Sequence, residues 1–453
     1  MEQPTLTVGI LSADKIKFEL NGSFELLAPD LQGDFTPLGA QAEGPQEVSL
    51  SQGCVTWQGQ QIPGLLFIPV NRRTASFDLR DVTIGKNFHW QRKEDQRFQG
   101  GLAIIVEESL LTAVNLIPLE LYLTSVISSE MSATASLELL KAHAVISRSW
   151  ALKMLQRSKN KNHGRKEEGK EIEKKGKKEE EGKEEEGKEG KGGKKEEARL
   201  EEGRLTDSEG LVWYDTTSHT HYDLCADDHC QRYQGITRAS TPQALQAIRE
   251  TYGQVLTYEG EVCDARFSKC CGGVTEEFQY CWEDVKHPYL TRVEDPFCNT
   301  SDKKILSQVL NNYDQETIDF YRWTVSYTRK ELSSLIRERS GVDYGDILDL
   351  IPLKRGTSGR IWKLQIVGSR QTRIVGKELE IRRILSHSHL YSSAFEVEKA
   401  DDRFILHGKG WGHGVGLCQI GAAVMGEQGH HYDEILKHYY PGAEITTLYK
   451  AEE

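Results

Sequence analysis

The sequence predicts an α+β fold: a β-rich core with a catalytic helix, a second smaller α/β region, and a disordered Lys/Glu-rich insertion. Three observations predict it. Residues 1–110 hold short apolar or alternating runs punctuated by Gly, Asn, Asp and Pro, the pattern of strands and turns. Residues 136–155 carry apolar positions at spacings of three and four, the pattern of a helix. Residues 158–204 are almost wholly Lys, Glu and Gly, which have nothing to bury.

The elements follow in order. Residues 5–10, 16–20 and 64–68 read as strands, and 101–115 as a hairpin feeding a catalytic strand-helix segment over 111–157. An apolar run from Tyr122 ends at Glu130, and the helix follows at once. Leu137, Leu140, Ala144, Ser147, Ala151 and Met154 share one of its faces; Lys141 and Arg148, seven apart, share another. In the 158–204 insertion, Glu–Lys spacings favour a helix and the recurring Gly residues oppose a long one. A Cys/His-rich region spans 205–300, with a helix over 240–253 opened by Ser240, Thr241 and Pro242 and strands near 255–258 and 265–268. An inserted α/β region spans 301–400, with a helical part over 315–340 and alternating strands over 347–385. Residues 401–453 complete the catalytic domain with a strand, a glycine loop and two short helices.

The 453 residues suffice for two or three domains. A net charge of -12 disfavours a general nucleic-acid binder, so no nucleic acid is expected as a partner. No segment has the apolar length to span a bilayer. The first residues lack a basic region followed by an apolar core, so no secretory signal is expected in this sequence. Seven of the 9 cysteines cluster between Cys225 and Cys298, which points to metal binding or local disulfides.

Four constellations carry chemistry. Glu130 is a lone carboxyl at an apolar junction, suited to protonating a leaving oxygen and then acting as a base. Its bland alternative is a helix N-terminal carboxylate placed there by the dipole. Lys141 and Arg148 either hold substrate carboxylates or form a basic stripe with packed stems. His219, His221, Cys225 and Cys230 offer the imidazoles and thiols that Zn²⁺ prefers, although their spacing fits no standard finger and the two cysteines alone could form a disulfide. Ser268, Gly272 and Gly273 form a glycine turn that permits close backbone approach to a ligand or is simply a tight turn. The run from Gly408 to Gly421 lacks the spacing of a nucleotide loop, so no organic cofactor is expected. Its Trp411 suits stacking on a sugar face, and His413 and Gln419 suit hydrogen bonds to hydroxyls.

These segments together resemble the stage II sporulation protein D family, which also includes the amidase enhancers of bacterial cell walls. The resemblance rests on Tyr122-Leu123, Glu130-Met131, Glu138, Lys141-Ala142, Ala144-Val145, Arg148 and Ala151, then Gly410 to Gly416 with Gln419 and Gly421, then the ending from Tyr432 to Gly442. Ser268 with Gly272, Gly273 and Thr275 matches a further turn. Departures are Ser132 for the usual proline, His143 for a glutamine, Trp150 for a tyrosine and Cys271 for a small residue. The resemblance implies a peptidoglycan lytic transglycosylase acting on peptide-free glycan strands, with Glu130 as the single acid and base. It implies an extracytoplasmic location, a cell-wall amidase as a further partner, and a Zn²⁺ held by residues similar to His219, Cys225 and Cys230. The alternatives are a non-catalytic glycan-binding amidase enhancer and, further off, a zinc hydrolase centred on Cys225 and Cys230.

Overall fold

A computed structural model describes residues 2–29, 35–84, 92–132, 135–179, 210–213, 221–226, 230–237, 241–309 and 319–451, with the backbone alone over 160–179. The architecture is the expected α+β one. Alternation builds the large sheet: Leu6, Val8 and Ile10 on one strand and Ile16, Phe18 and Leu20 on the next all turn inward. The eleven-stranded sheet runs, edge to edge, Leu224–Cys225, Thr5–Ala13, Leu110–Pro118, Gly101–Glu107, Leu65–Pro69, Lys15–Pro29, Phe35–Ser51, Cys54–Trp57, Gln60–Ile62. Strands Ser76–Ile84 and Arg92–Phe98 branch off Lys15–Pro29. The edge strand Leu224–Cys225 lies parallel to the first strand, with Cys225 opposite Gly9. The Cys225 segment is therefore welded to the sheet.

The strand Leu110–Pro118 runs straight into helix α1 (Leu119–Glu130), whose first N–H is held by the Pro4 carbonyl at 2.9 Å. The apolar run before Glu130 is thus helical: Leu119, Tyr122, Leu123, Val126 and Ile127 are buried at helical spacing. Helix α2 (Leu137–Glu179) follows. From Leu139 to Leu152 all its residues but Lys141 are buried, so it is a central helix enclosed on all sides, not a two-faced one. Its backbone continues helically into the charged segment as far as Glu179; residues 180–209, the rest of that segment and the residues that follow it, lie outside the described residues.

Helix α3 (Pro242–Glu250) starts at the expected signal, with the Ala244 N–H on the Thr241 hydroxyl at 3.1 Å. Helix α4 (Lys303–Val309) covers the loop after α1. A second core of Trp323, Leu332, Ile336, Ile347, Leu364 and Leu406 is separate from the first. It is enclosed by two three-stranded sheets, by helix α5 (Arg329–Ser340) with its Thr328–Glu331 capping box, and by helix α6 (Glu378–Ile384). Helices α7 (Gln419–Glu427) and α8 (Tyr432–Tyr439) return to the main core. Among the described residues no helix is long and apolar enough to cross a membrane.

One ion pair sits at the centre of the main core. Arg148 on α2 is fully buried and grips Glu120 on α1 with two bonds, Nε to Oε1 at 2.8 Å and Nη2 to Oε2 at 2.7 Å. Nη1 donates to the Gln254 carbonyl at 2.8 Å. Glu120 also accepts from Tyr449 Oη at 2.7 Å and from the Gly253 N–H at 3.3 Å. Removing one partner of such a pair strands a buried charge. Arg148→Leu is expected to lower stability by about 3–5 kcal/mol in denaturant unfolding, and the double change Arg148→Met/Glu120→Leu to restore much of the loss. A single-variant loss below ~1 kcal/mol, the scale of an exposed pair, would contradict this assignment.

Candidate functional site

Glu130 is the last residue of α1, half-buried, with the Met131 N–H closing the helix on the Ile127 carbonyl. A helix C-terminus is the negative end of the dipole, so the dipole gives no structural reason for a carboxylate there. Its Oε1 accepts the Arg232 N–H at 3.3 Å, and among the described residues it has no ion pair. The chain beyond it is fixed by Gln308 on α4, whose carbonyl takes the Ser132 N–H at 2.9 Å and whose side chain takes the Ser136 N–H at 3.1 Å.

The segment carrying Arg232 lies along α1. Gln231 accepts from Tyr122 Oη at 3.2 Å, and the Gln234 N–H donates to Ser125 Oγ at 3.0 Å. Tyr233 stacks on Tyr122 with ring centroids 5.0 Å apart and donates to Asn115 at 2.6 Å. This segment starts at Cys230, whose sulfur accepts the Cys225 N–H at 3.4 Å. The two thiols also hydrogen-bond, and that contact with Cys225, together with burial, holds Cys230 well above the ordinary thiol value. His219 lies outside the described residues, and His221 is exposed. Among the described residues His221 does not converge with Cys225 and Cys230. Two thiols of the expected zinc set are therefore placed together beside the Glu130 segment. A cleft lined by Ser12, Ile84, Thr112, Tyr222, Cys225 and Tyr233 opens on the sheet side, and Glu130 does not line it.

The basic residues read as substrate ligands are engaged elsewhere. Lys141 bridges Glu138 at 2.9 Å and Glu250 at 2.7 Å. Arg148 belongs to the buried Glu120 network, and no part of it is left to reach a ligand; the sequence does not reveal this because Glu120 lies outside the helix. Gln419 is also interior. Its Nε2 donates to His143 Nε2 at 3.2 Å, so the His143 proton sits on Nδ1, facing Ser147 Oγ at 3.1 Å. Burial pushes the His143 imidazole down to about 3, which keeps it neutral. Gln231 Nε2 donates to the Ser147 carbonyl at 3.4 Å. A buried polar chain thus joins the Glu130 side to the glycine-loop side through α2.

The two glycine segments pack on each other. Cys270 and Trp411 exchange backbone hydrogen bonds of 2.7 and 3.1 Å. Gly272, at φ 80°, touches the loop so closely that a Cβ there would lie 2.8 Å from the Gly410 nitrogen. Gly414, at φ 75°, leaves room for the buried Arg360, whose Cζ would be 2.3 Å from a Cβ. Arg360 donates to the Gly412 carbonyl at 3.1 Å and to the Cys271 carbonyl at 3.2 Å. Ser268 is buried beneath the loop, and Gly273 lies against Tyr321. Ser268, Gly272 and Gly273 therefore build a backbone interface. Trp411 and His413 keep partial exposure. Trp411 packs between Phe320 at 4.7 Å and Tyr391 at 4.8 Å. His413 meets Trp282 edge-on at 4.9 Å, and its Nδ1 accepts the Val415 N–H at 3.0 Å. Burial, with the Arg266 and Arg360 cations, holds this imidazole well below its ordinary value.

The sequence reading missed a cluster formed across long separations. Cys271, Asp295, Cys298 and Cys418, all buried, bring one ligand atom each to within 4.8 Å of one another, enough to hold a metal. No local spacing signals it, because its members come from three distant segments.

A family model described as Stage II sporulation protein matches residues 107–201 and 205–258, the stretch that carries α1, Glu130, α2 and the Cys225–Gln234 segment. A model described as Domain of unknown function (DUF8618) matches residues 276–416. Stage II sporulation protein D of Bacillus subtilis is 28% identical over 44% of this chain and 50% of its own length. The amidase enhancer of the same organism is 27% identical over 44% of this chain and 32% of its own. Over residues 107–258 the chain is thus similar to the stage II sporulation protein D and amidase enhancer family. An uncharacterized protein of Brachyspira hyodysenteriae is 25% identical over 77% of this chain and 72% of its own length. The chain thus spans half or less of the two named relatives.

Departures from the expected motif are absorbed locally: Ser132 binds Gln308, His143 joins the Gln419 chain, and Trp150 is buried. His413 gives a direct check. Its Nδ1 accepts, so its proton is on Nε2. Imidazole ¹⁵N shifts are expected to report a neutral Nε2–H ring across about pH 5 to 8, and a titration near the ordinary histidine value of about 6.5 would contradict the burial.

Proposed function

We propose that this chain is a peptidoglycan lytic transglycosylase that cleaves the bond between N-acetylmuramic acid and N-acetylglucosamine in peptide-free glycan strands. The similarity to stage II sporulation protein D and the amidase enhancer supports the coarser reading, a cell-wall-related role. The observation that carries the finer one is Glu130: a half-buried carboxyl at a helix C-terminus, one oxygen held by a peptide N–H, with no cation paired to it among the described residues. Lys141 and Arg148, which would have competed for it, are satisfied by Glu138, Glu250 and Glu120.

In this reading the Glu130 carboxyl gives its proton to the bridging oxygen as the muramyl C1–O bond breaks, and the glucosamine leaves with that proton as a hydroxyl. The resulting carboxylate takes the proton of the muramyl C6 hydroxyl as O6 closes on C1. The product is a 1,6-anhydro end, no water is consumed, and the carboxyl returns to its starting form. One acid serves both steps. The Arg232 N–H holds one oxygen and so orients the other. The exposed part of Trp411 offers a sugar-stacking face. Any Zn²⁺ at Cys225 and Cys230 would brace the segment that carries Arg232; it takes no part in these steps. In this reading the chain acts outside the cytoplasm, where peptidoglycan lies.

A second reading is kept because a relative is named amidase enhancer: the chain binds glycan and stimulates a cell-wall amidase without cleaving. Mass spectrometry of peptide-free strands separates the two. Anhydro ends support the lyase, reducing ends a hydrolase, and unchanged strands with retained binding the enhancer. Glu130→Gln is expected to cut anhydro-product formation by roughly a hundred- to ten-thousand-fold, with binding and circular dichroism unchanged. Product at the parent rate would end the assignment of Glu130.

A further inference from the structure

We propose that Cys271, Asp295, Cys298 and Cys418 form a structural Zn²⁺ site, separate from Cys225 and Cys230, that fastens the glycine loop to the turn beneath it. The four side chains come from three segments: the turn after strand Phe267–Ser268, the loop that follows Glu294, and the junction of strand Leu417–Cys418 with α7. The two short strands pair in parallel, which brings Cys418 opposite Ser268 and within reach of Cys271.

The spacing of the four ligand atoms suits a tetrahedral set. A tetrahedron with Zn–S bonds of about 2.3 Å has sulfurs about 3.8 Å apart. The Cys271 and Cys298 sulfurs are 3.6 Å apart, far beyond a bonded disulfide, and all four ligand atoms fall within 4.8 Å of one another. Asp295 is oriented for the same centre. Its Oδ1 accepts the Phe297 and Cys298 N–H groups at 3.0 and 3.2 Å, which leaves Oδ2 against Cys271 Sγ at 3.2 Å. This is how outer hydrogen bonds aim a metal-binding carboxylate. Cys418 Sγ accepts the Cys271 N–H at 3.3 Å and sits at the N-terminus of α7, where the dipole favours a thiolate. The adjacent Cys270 thiol hydrogen-bonds with Cys298 and Cys418. Tyr439 Oη points into the same region, fully buried and with no hydrogen-bond partner among the described residues. Gly421 makes the space: a Cβ there would lie 2.1 Å from Tyr439 Oη and 2.5 Å from Asp295 Oδ2.

Two disulfides among these thiols would leave Asp295 buried beside apolar sulfur with no cation, a costly arrangement. A divalent ion uses the carboxylate and three thiolates at once and releases the thiol protons on binding. Three thiolates favour Zn²⁺ over Mg²⁺ or Ca²⁺. Four protein ligands leave no open position, so the ion is structural.

The test is elemental analysis of the full chain, purified under reducing conditions without chelator. The Cys225→Ser/Cys230→Ser variant is expected to retain about one zinc per chain and, reconstituted with Co²⁺ alone, to show a thiolate-to-cobalt charge-transfer band. Cys298→Ser and Asp295→Asn in that background are expected to lower retained zinc at least roughly fivefold. A zinc-free parent variant that takes up no Co²⁺ overturns the proposal, as does zinc unchanged by Cys298→Ser. If the serine variants do not fold, the wild-type chain decides. Chelation that releases zinc in step with alkylation of Cys271, Cys298 and Cys418 supports the site; finding these cysteines in disulfides overturns it.

Discussion

Arg148 and Glu120 set the frame on which the candidate site stands. Both charges are removed from water, which is unfavourable unless every lone pair and proton finds a partner. Here most do: the guanidinium reaches two carboxylate oxygens and the Gln254 and Ala144 carbonyls, and the carboxylate also takes a phenol and a peptide N–H. Those partners belong to α1, α2, the strand Gln254–Tyr258 and the chain near Tyr449. Since α1 starts beside Glu120 and ends at Glu130, ten residues or about 15 Å along its axis, fixing one end of this short helix fixes the direction of the other.

A neutral network completes what the ion pair begins. Tyr122, Gln231, Ser147, His143 and Gln419 form a continuous buried chain from α1 across α2 to α7. Its polarity depends on an uncharged His143, which burial secures. Low-dielectric surroundings make each satisfied bond stronger and each broken one more costly. The segment holding Arg232 against Glu130 is one end of this chain, so the placement of the acid and the packing of the glycine-loop helix are coupled through contacts that never reach solvent.

Much of this was legible in the residues. The Thr241–Pro242 start of α3, the strands of the first hundred residues and the order of strand, glycine loop and two helices at the end follow local signals, and local physics decides them. Helix α1 was not legible. Its run is apolar and rich in Thr124, Val126 and Ile127, and periodicity cannot separate such a stretch from a strand. The burial of Arg148 was invisible because its partner is 28 residues earlier. The cysteine cluster was invisible for the same reason on a larger scale: Cys271 and Cys418 are 147 residues apart and meet only through two paired two-residue strands. Cys225 and Cys230, five apart, could be paired by eye.

The glycine loop is where reading and structure diverge most instructively. Its glycines suggest a ligand cradle, yet the space they leave is filled by the turn at Gly272 and by Arg360. His413 suggests a sugar contact, but one ring nitrogen accepts from Val415 and the ring also bonds to the Phe267 backbone. Under the proposed function, that leaves Trp411, partly exposed, as the loop's surface for a glycan. In that reading, recognition would fall mainly to the α1 terminus and the Arg232 segment, while the loop is a rigid abutment, its form dictated by backbone contact and, through Cys418, by the sulfur cluster behind it.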